Sequence, residues 1–222
     1  MAFVQFSQVS LAFGDRDILK DVSVNLQAGS KVALTGANGS GKSTLLKLIA
    51  GVITPSEGEI TSDFQSLYMP QSSYAFDKSV LKNIMISGNV STKEAHELLC
   101  RFELGELENK NAKNLSGGEK QRVALCRLLA GHSRLILLDE PTSEMDLHST
   151  GIAENAILDY INKEKATLVF STHSPVQAKR LADRIIILNN GRVAEDGSIN
   201  ETVNAPKTSW GEEFLSQWII RR

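Results

Sequence analysis

The sequence predicts an α/β fold with a mostly parallel sheet, an antiparallel β portion at the N-terminus and a small inserted helical subdomain. Three observations carry that prediction. Arg134-Leu135-Ile136-Leu137-Leu138 and Ile185-Ile186-Ile187-Leu188 are continuous apolar runs, the pattern of strands buried on both faces of a parallel sheet. Lys31-Val32-Ala33-Leu34-Thr35 reads as a short buried strand feeding a glycine-rich loop, then a helix from Lys42 to Ala50 closed by Gly51. Ahead of both, Val22, Val24 and Leu26 alternate with Asp21, Ser23 and Asn25, the period-two pattern of a half-buried strand.

At 222 residues the chain is long enough to bury a real core, and residues 1–222 read as one domain. Its 41% hydrophobic and 23% charged residues are ordinary for a soluble protein. A formal charge of −2 argues against a broad nucleic-acid-binding surface. Cys100 and Cys126 lack metal-ligand spacing and read as free thiols in a reducing compartment. The stretch Met1-Ala2-Phe3-Val4-Gln5-Phe6 has neither the basic region nor the apolar stretch of a signal peptide. No apolar run approaches bilayer length. The sequence therefore predicts a cytoplasmic protein whose role at a membrane would come through a partner.

Along the chain, Gly14-Asp15 marks a turn between two N-terminal strands. Phe13, just before it, can stack on a flat adenine base or serve as a core ring. Gly36-Ala37-Asn38-Gly39-Ser40-Gly41-Lys42-Ser43-Thr44 then fits G-x-x-x-x-G-K-[ST] without substitution. Glycines let such a loop curl until several backbone N–H groups face one anion, and the following helix adds its positive end. Lys42 can reach β- and γ-phosphates, and the Ser43 hydroxyl can ligate magnesium. This is a nucleoside triphosphate site, and it makes the core a P-loop NTPase core.

Thr54-Pro55-Ser56-Glu57-Gly58-Glu59 is a run of turn formers. Strands around Glu59-Ile60 and over Ser66-Leu67-Tyr68-Met69 lead to Pro70-Gln71. Residues 72–114 read as the helical insertion, helical from Lys78 to Cys100 with a capping signal at Ser91-Thr92-Lys93-Glu94. Ser116 and Glu119 form a second capping box, starting a helix that runs to about Ala130. Gly117 and Gly118 inside its first turn weaken the helix by ~1 kcal/mol each. They also expose N–H groups for a second phosphate. Asp139 and Glu140 end the apolar strand that begins at Arg134, where α/β sheets place their ligands. Asp139 can hold magnesium through water and Glu140 can polarise an attacking water. Thr167-Leu168-Val169-Phe170 is another strand, and His173 past its tip can bond a γ-phosphate or be structural. Asn190-Gly191 is a hairpin turn, so the sheet finishes antiparallel. The tail, residues 206–222, carries Phe214, Leu215, Trp218 and Ile219 at the spacing of a short amphipathic helix.

With these motifs in hand the chain resembles the ATP-binding subunits of ABC transporters over nearly its whole length. Gly36–Thr44 resembles Walker A, Leu135–Glu140 resembles Walker B, and Leu115-Ser116-Gly117-Gly118-Glu119 matches the signature motif. Gln71 falls at the Q-loop position, Asp146 at the D-loop, His173 at the H-loop and Phe13 at the adenine-stacking position. The resemblance implies ATP and Mg2+ as ligands. It implies catalytic roles for Lys42, Gln71, Glu140 and His173, and metal contacts from Ser43, Gln71 and Asp139. It also implies a head-to-tail homodimer, with ATP between Walker A of one copy and Ser116, Gly117 and Gly118 of the other. Through Gln71 and the helical insertion, such a dimer would drive a separate membrane permease served by a solute-binding protein. The protein would then lie peripherally on the inner face of the cell membrane.

Two features depart from the family pattern. The D-loop reads Ser143-Glu144-Met145-Asp146 where Ser-Ala-Leu-Asp is usual, and the helical insertion is short. The stretches 74–84 and 171–183 are similar to those of oxyanion importers, tungstate-type ones especially. The alternative within the family is a non-transport switch in cell division or lipoprotein release. An ATPase acting on nucleic acid or ribosomes would carry paired ATPase domains or a coiled-coil insert, which this sequence lacks.

Overall fold

The structure is a computed structural model that describes residues 2–88 and 90–218. The N-terminal strands β1 (Ala2–Phe13) and β2 (Arg16–Gln27) pair antiparallel across the turn at Gly14-Asp15. β4 (Glu57–Ser62) adds to the other edge of β1. The second sheet is built from β3 (Lys31–Gly36), β5 (Ser66–Met69), β6 (Leu135–Asp139), β7 (Thr167–Ser171), β8 (Arg184–Asn189) and β9 (Arg192–Ser198). Its order is β5-β6-β7-β3-β8-β9. All pairs are parallel except the last, where β9 returns beside β8 through Asn190-Gly191.

Continuous apolarity in the central strands now has its cause. Val32, Leu34, Leu135, Leu137, Val169, Ile186 and Leu188 pack on one face, against the N-terminal sheet and α1 (Lys42–Ile49). Ala33, Ile136, Leu138, Leu168, Phe170, Ile185 and Ile187 pack on the other, against helices. Neighbours in sequence therefore serve different cores, and neither face of the sheet is free for polar residues.

Within 72–114 the expected helical run divides into α2 (Val80–Met85) and α3 (Thr92–Arg101). Gly88, at φ 77, takes the chain out of the first helix, and Ser91 starts the second. Its capping box with Glu94 requires an extended backbone, φ −70 and ψ 158, which a continuing helix cannot supply. Val80, Ile84, Leu99 and Phe102 of this segment are fully buried and belong to the same core cluster as α4 (Gly117–Leu129).

The sequence reading places no helix over 147–164, yet α5 (Leu147–Glu164) fills it. Its signals are an Asp146 N-cap, with Oδ1 accepting from Ser149 N–H at 2.8 Å, and buried Ala153, Ile157 and Ile161 at helical spacing. Two shorter helices, α6 (Pro175–Leu181) and α7 (Ile199–Asn204), also went unread. In the tail, α8 (Ser209–Ser216) buries Leu215 and stacks Trp210 on Phe214, centroids 5.1 Å apart. Ile219 lies outside the described residues. Both cysteines are free thiols, Cys100 exposed and Cys126 buried.

Glu195 on β9 anchors α8. Its carboxylate accepts from Lys207 N–H at 3.0 Å, Thr208 N–H at 2.7 Å and Thr208 Oγ at 2.6 Å. Burial alone would raise its pKa, but these donors outweigh burial and hold it below the ordinary value of 4.5. A depressed folded pKa gives stability that is present above the unfolded value and lost as pH falls through the folded one. Glu195→Gln should therefore lose stability at neutral pH and flatten the acid limb, measured by urea denaturation between about pH 6 and 3. An acid limb identical to wild type would remove Glu195 as its cause.

Candidate active site

Parallel pairing brings the carboxyl ends of β3, β6 and β7 to one edge. Leu34 and Asp139 both lie in register with Ser171. The loop from Gly36 to Gly41 leaves β3 there and delivers Lys42 as the first residue of α1. Gly36 has φ 138, and any side chain on it would collide with the Leu188 carbonyl of the next strand. Only glycine lets the loop start this close to the sheet.

Lys42 is buried, and its Nζ donates to Gly36 O at 3.0 Å and Ala37 O at 3.1 Å. Burial lowers its pKa, opposed by the nearby charges of Glu140 and Asp139. An ammonium stripped of water and ringed by the loop is placed to meet a phosphate anion.

Asp139 and Glu140 are consecutive yet differently housed. Asp139 is buried and accepts from Ser171 Oγ at 2.6 Å. Glu140 turns out of the strand at φ 49, an uncommon conformation for a non-glycine residue. Its N–H donates to Ser171 Oγ at 2.9 Å, and its carbonyl accepts from Gln121 Nε2 at 3.0 Å. The Glu140 carboxylate lies 3.2 Å from His173 Nε2, and Oε1 is buried without a hydrogen bond of good geometry. Burial raises its pKa above 4.5, with His173 and Lys42 opposing and Asp139 adding to the rise.

A cleft of about 290 Å³ is lined by Asn38, Gly39, Gly41, Lys42, Ser43, Thr44, Gln71, Asp139, Glu140 and His173, with Arg16 and Ile18 opposite the loop. The sequence-derived catalytic residues Lys42, Gln71, Glu140 and His173 thus meet in one place. Gly36 and Ala37 border the adjoining cleft beside His173 and α8. Thr35 at the end of β3 and Ser40 in the loop have buried hydroxyls with no partner, so this end of the sheet retains unmet hydrogen-bonding capacity.

Magnesium fits the donor set. Ser43, Gln71 and Asp139 bring a hydroxyl, an amide and a carboxylate to the same cleft, all oxygen donors suited to a hard cation. Among the described residues no cluster of three His, Cys, Asp or Glu side chains could hold a metal ion alone. That composition suits magnesium carried largely by phosphate oxygens.

The structure does not bring Ser116, Gly117 and Gly118 to this cleft. They start α4, with Ser116 and Gly117 exposed and Ser116 bonded to Glu119 in the expected capping box. Phe13 is 59% exposed, which removes the core-ring alternative. It does not line the cleft but pairs across the hairpin with Arg16, which does. Sequence reasoning missed Arg16, Ile18, Ser171 and Gln121. Local motifs could not find them, because their placement depends on strand register and helix packing.

The profile of the family described as ABC transporter matches residues 19–143. The sulfate/thiosulfate import ATP-binding protein CysA of Synechococcus elongatus is 35% identical over 96% of this chain and 67% of its own length. The tungstate uptake system ATP-binding protein TupC of Peptoclostridium acidaminophilum is 36% identical over 86% of this chain and 97% of its own. Among solved structures, a bacterial ABC exporter with ATP bound superposes at TM-score 0.85 and 27% identity, over 99% of this chain and 42% of that one. A dimeric ATP-binding cassette in a post-hydrolysis state, bound to ADP and Pi, gives TM-score 0.80 and 29% identity, over 88% and 98%.

Lys42→Ala removes the buried ammonium that faces the loop. Its affinity for a fluorescent ATP analogue should fall by about ten-fold or more, since a charge-assisted phosphate contact contributes ~1.5–3 kcal/mol. Unchanged affinity in an equilibrium titration would take Lys42 out of the binding site.

Proposed function

The chain belongs to the ABC transporter family, and from that premise we propose that it is the ATP-hydrolysing subunit of a membrane importer, driving a separate permease that takes up an oxyanion such as tungstate. ATP-binding domains of this family are ATPases that use ATP and Mg2+. The observation that carries the reading is the convergence of Lys42, Ser43, Gln71, Asp139, Glu140 and His173 on one cleft.

Phosphoryl transfer asks little covalent chemistry of a protein and much positioning and charge stabilisation. Lys42 exchanges the carbonyls of Gly36 and Ala37 for β- and γ-phosphate oxygens. Ser43, Asp139 and Gln71 would hold magnesium, which would supply charge neutralisation to the bound phosphates. Glu140 orients the attacking water, and its raised pKa makes its carboxylate a better proton acceptor. His173, with Nε2 3.2 Å from the Glu140 carboxylate, is placed beside it to meet the γ-phosphate. Phe13, exposed at the hairpin tip, stacks on the adenine.

The second anion site at Ser116, Gly117 and Gly118 belongs to the neighbouring copy's ATP in a head-to-tail dimer. Its separation from the cleft within one chain and the dimeric relative bound to ADP and Pi support this. For the permease, a groove beside Gln71 is lined by Met69, Pro70, Tyr74, Phe76 and Ile86, with Tyr74 61% exposed. Arg127 stiffens its wall, stacking 5.0 Å over Phe76 and donating to Tyr74 O at 2.8 Å. Among the described residues no helix is long and apolar enough to cross a membrane; in this reading the groove is where the permease attaches the protein to the inner face. Similarity to the tungstate and sulfate import proteins supports the oxyanion, delivered by a solute-binding protein.

Glu140→Gln should still bind ATP but turn it over about 10²–10⁴-fold more slowly. Wild-type turnover should rise with pH through a value above 4.5 as Glu140 ionises. Near-normal turnover in Glu140→Gln would sink its assignment. Tyr74→Asp should stop a multi-spanning permease from co-purifying out of detergent-solubilised membranes, with basal ATPase activity within about two-fold of wild type. Recovery of soluble or ribosomal partners alone from the wild type would overturn the transport reading.

A further inference from the structure

Gln121 lies on α4, five residues past the Ser116 N-cap, and is fully buried. Its amide uses both ends. Nε2 donates to Glu140 O at 3.0 Å and to Ser143 Oγ at 3.2 Å, while Oε1 accepts from Glu144 N–H at 2.9 Å. One neutral side chain thus grips the backbone of Glu140 and the first two residues of the D-loop segment.

Glu140 needs such a grip. Its left-handed backbone, φ 49, is strained for a non-glycine residue and persists only where surrounding contacts over-determine it. Ser171 Oγ fixes the N–H side and Gln121 fixes the carbonyl side. The rest of α4 holds Gln121 firmly, because Val123, Ala124, Leu125 and Cys126 are buried just beyond it.

We infer that Gln121 is a positioning residue for hydrolysis, locking the Glu140 backbone and the D-loop to the helix that begins at Ser116. The inference rests on the reading of Glu140 as the water-orienting group. A shift of α4, whose N-terminus would meet the other copy's ATP, is transmitted through this amide to the Glu140 carboxylate. The same bond set places Glu144, whose carboxylate lies against Gly117 and whose backbone carbonyl crowds Gly118. A group that orients through another should change turnover without changing nucleotide affinity.

Two substitutions test this on the full chain. Gln121→Met keeps the volume and loses all three bonds. Gln121→Glu keeps the acceptor for Glu144 N–H and loses the donors while its carboxyl is ionised. Both should lower kcat by about 10–100-fold, the usual cost of losing a group that orients a reacting one, with affinity for a fluorescent ATP analogue retained. Burial raises the introduced carboxyl's pKa, and its protonated form can again donate to Glu140 O. The turnover of Gln121→Glu relative to wild type should therefore rise several-fold between about pH 8 and pH 6, and that of Gln121→Met should not. If Gln121→Met fails to fold, the pH ratio of Gln121→Glu decides alone.

Turnover within about two-fold of wild type in either variant overturns the inference. So does a loss of kcat matched by equal losses of affinity and melting temperature, with no pH-dependent recovery, since that marks a purely structural amide. Glu140→Gln run alongside separates the two readings. If it retains turnover, Glu140 and Gln121 fall together. If it is inactive while the Gln121 variants are normal, only Gln121 falls.

Discussion

Ser171 Oγ donates to Asp139 Oδ1 at 2.6 Å and accepts from Glu140 N–H at 2.9 Å, and the site is built outward from those two bonds. The hydroxyl is fully buried, so both halves of its hydrogen-bonding capacity are committed within the protein. It can serve both acids only because β6 and β7 pair with Asp139 opposite Ser171; a register slip would remove it from both. Two neighbouring carboxylates thereby acquire different surroundings. Asp139 stays in the strand with a donor on it. Glu140 is bent away, with one oxygen beside His173 and none of good bonding geometry on it. Environment, rather than residue type, is what would fit one of these acids to hold a metal and the other to orient a water, as proposed.

The parts legible in the sequence are those whose physics is local. The phosphate loop declares itself because chain curvature, the Lys42 side chain and the start of α1 are all encoded within nine residues. Ser91 and Ser116 are readable as caps because their partners, Glu94 and Glu119, stand three residues on. Continuous apolar runs identify the buried strands, and their alternating commitment to two cores explains why no polar residue interrupts them.

What could not be read is what register and packing create. Nothing local marks Ser171 at a strand end or Gln121 in a helix as different from other buried polar residues. Arg16 reaches the cleft because the β1–β2 hairpin folds across it. Phe13 shows the same limit, since spacing allows it to be a core ring and only the completed hairpin exposes it. The helix α5 is another matter. Its Asp146 cap and its buried face at Ala153, Ile157 and Ile161 are present in the sequence, but Asp146 also fits the D-loop pattern, so one residue carries two local signals.

Glu144 shows how one departure from the family pattern alters local electrostatics. Its carboxylate abuts Gly117 at the start of α4, where the helix carries partial positive charge. In the free chain that placement is favourable by ~0.3–1 kcal/mol, for the reason any acid is favoured in a first helical turn. Ser116, meanwhile, is already bonded through both its N–H and its hydroxyl to Glu119. The donors that would welcome an incoming phosphate are thus partly answered by the chain's own acids. Alanine at this position, usual in the family, would remove one of those acids and leave the helix end more attractive to an anion. In the proposed head-to-tail dimer, Glu144 stands beside Gly117 and Gly118 and would have to turn aside for a γ-phosphate to reach them. The carboxylate is exposed and carried on a short loop, so that movement breaks no buried contact of its own. The backbone of the loop is the part that resists, because Gln121 holds the Glu144 N–H from inside the protein.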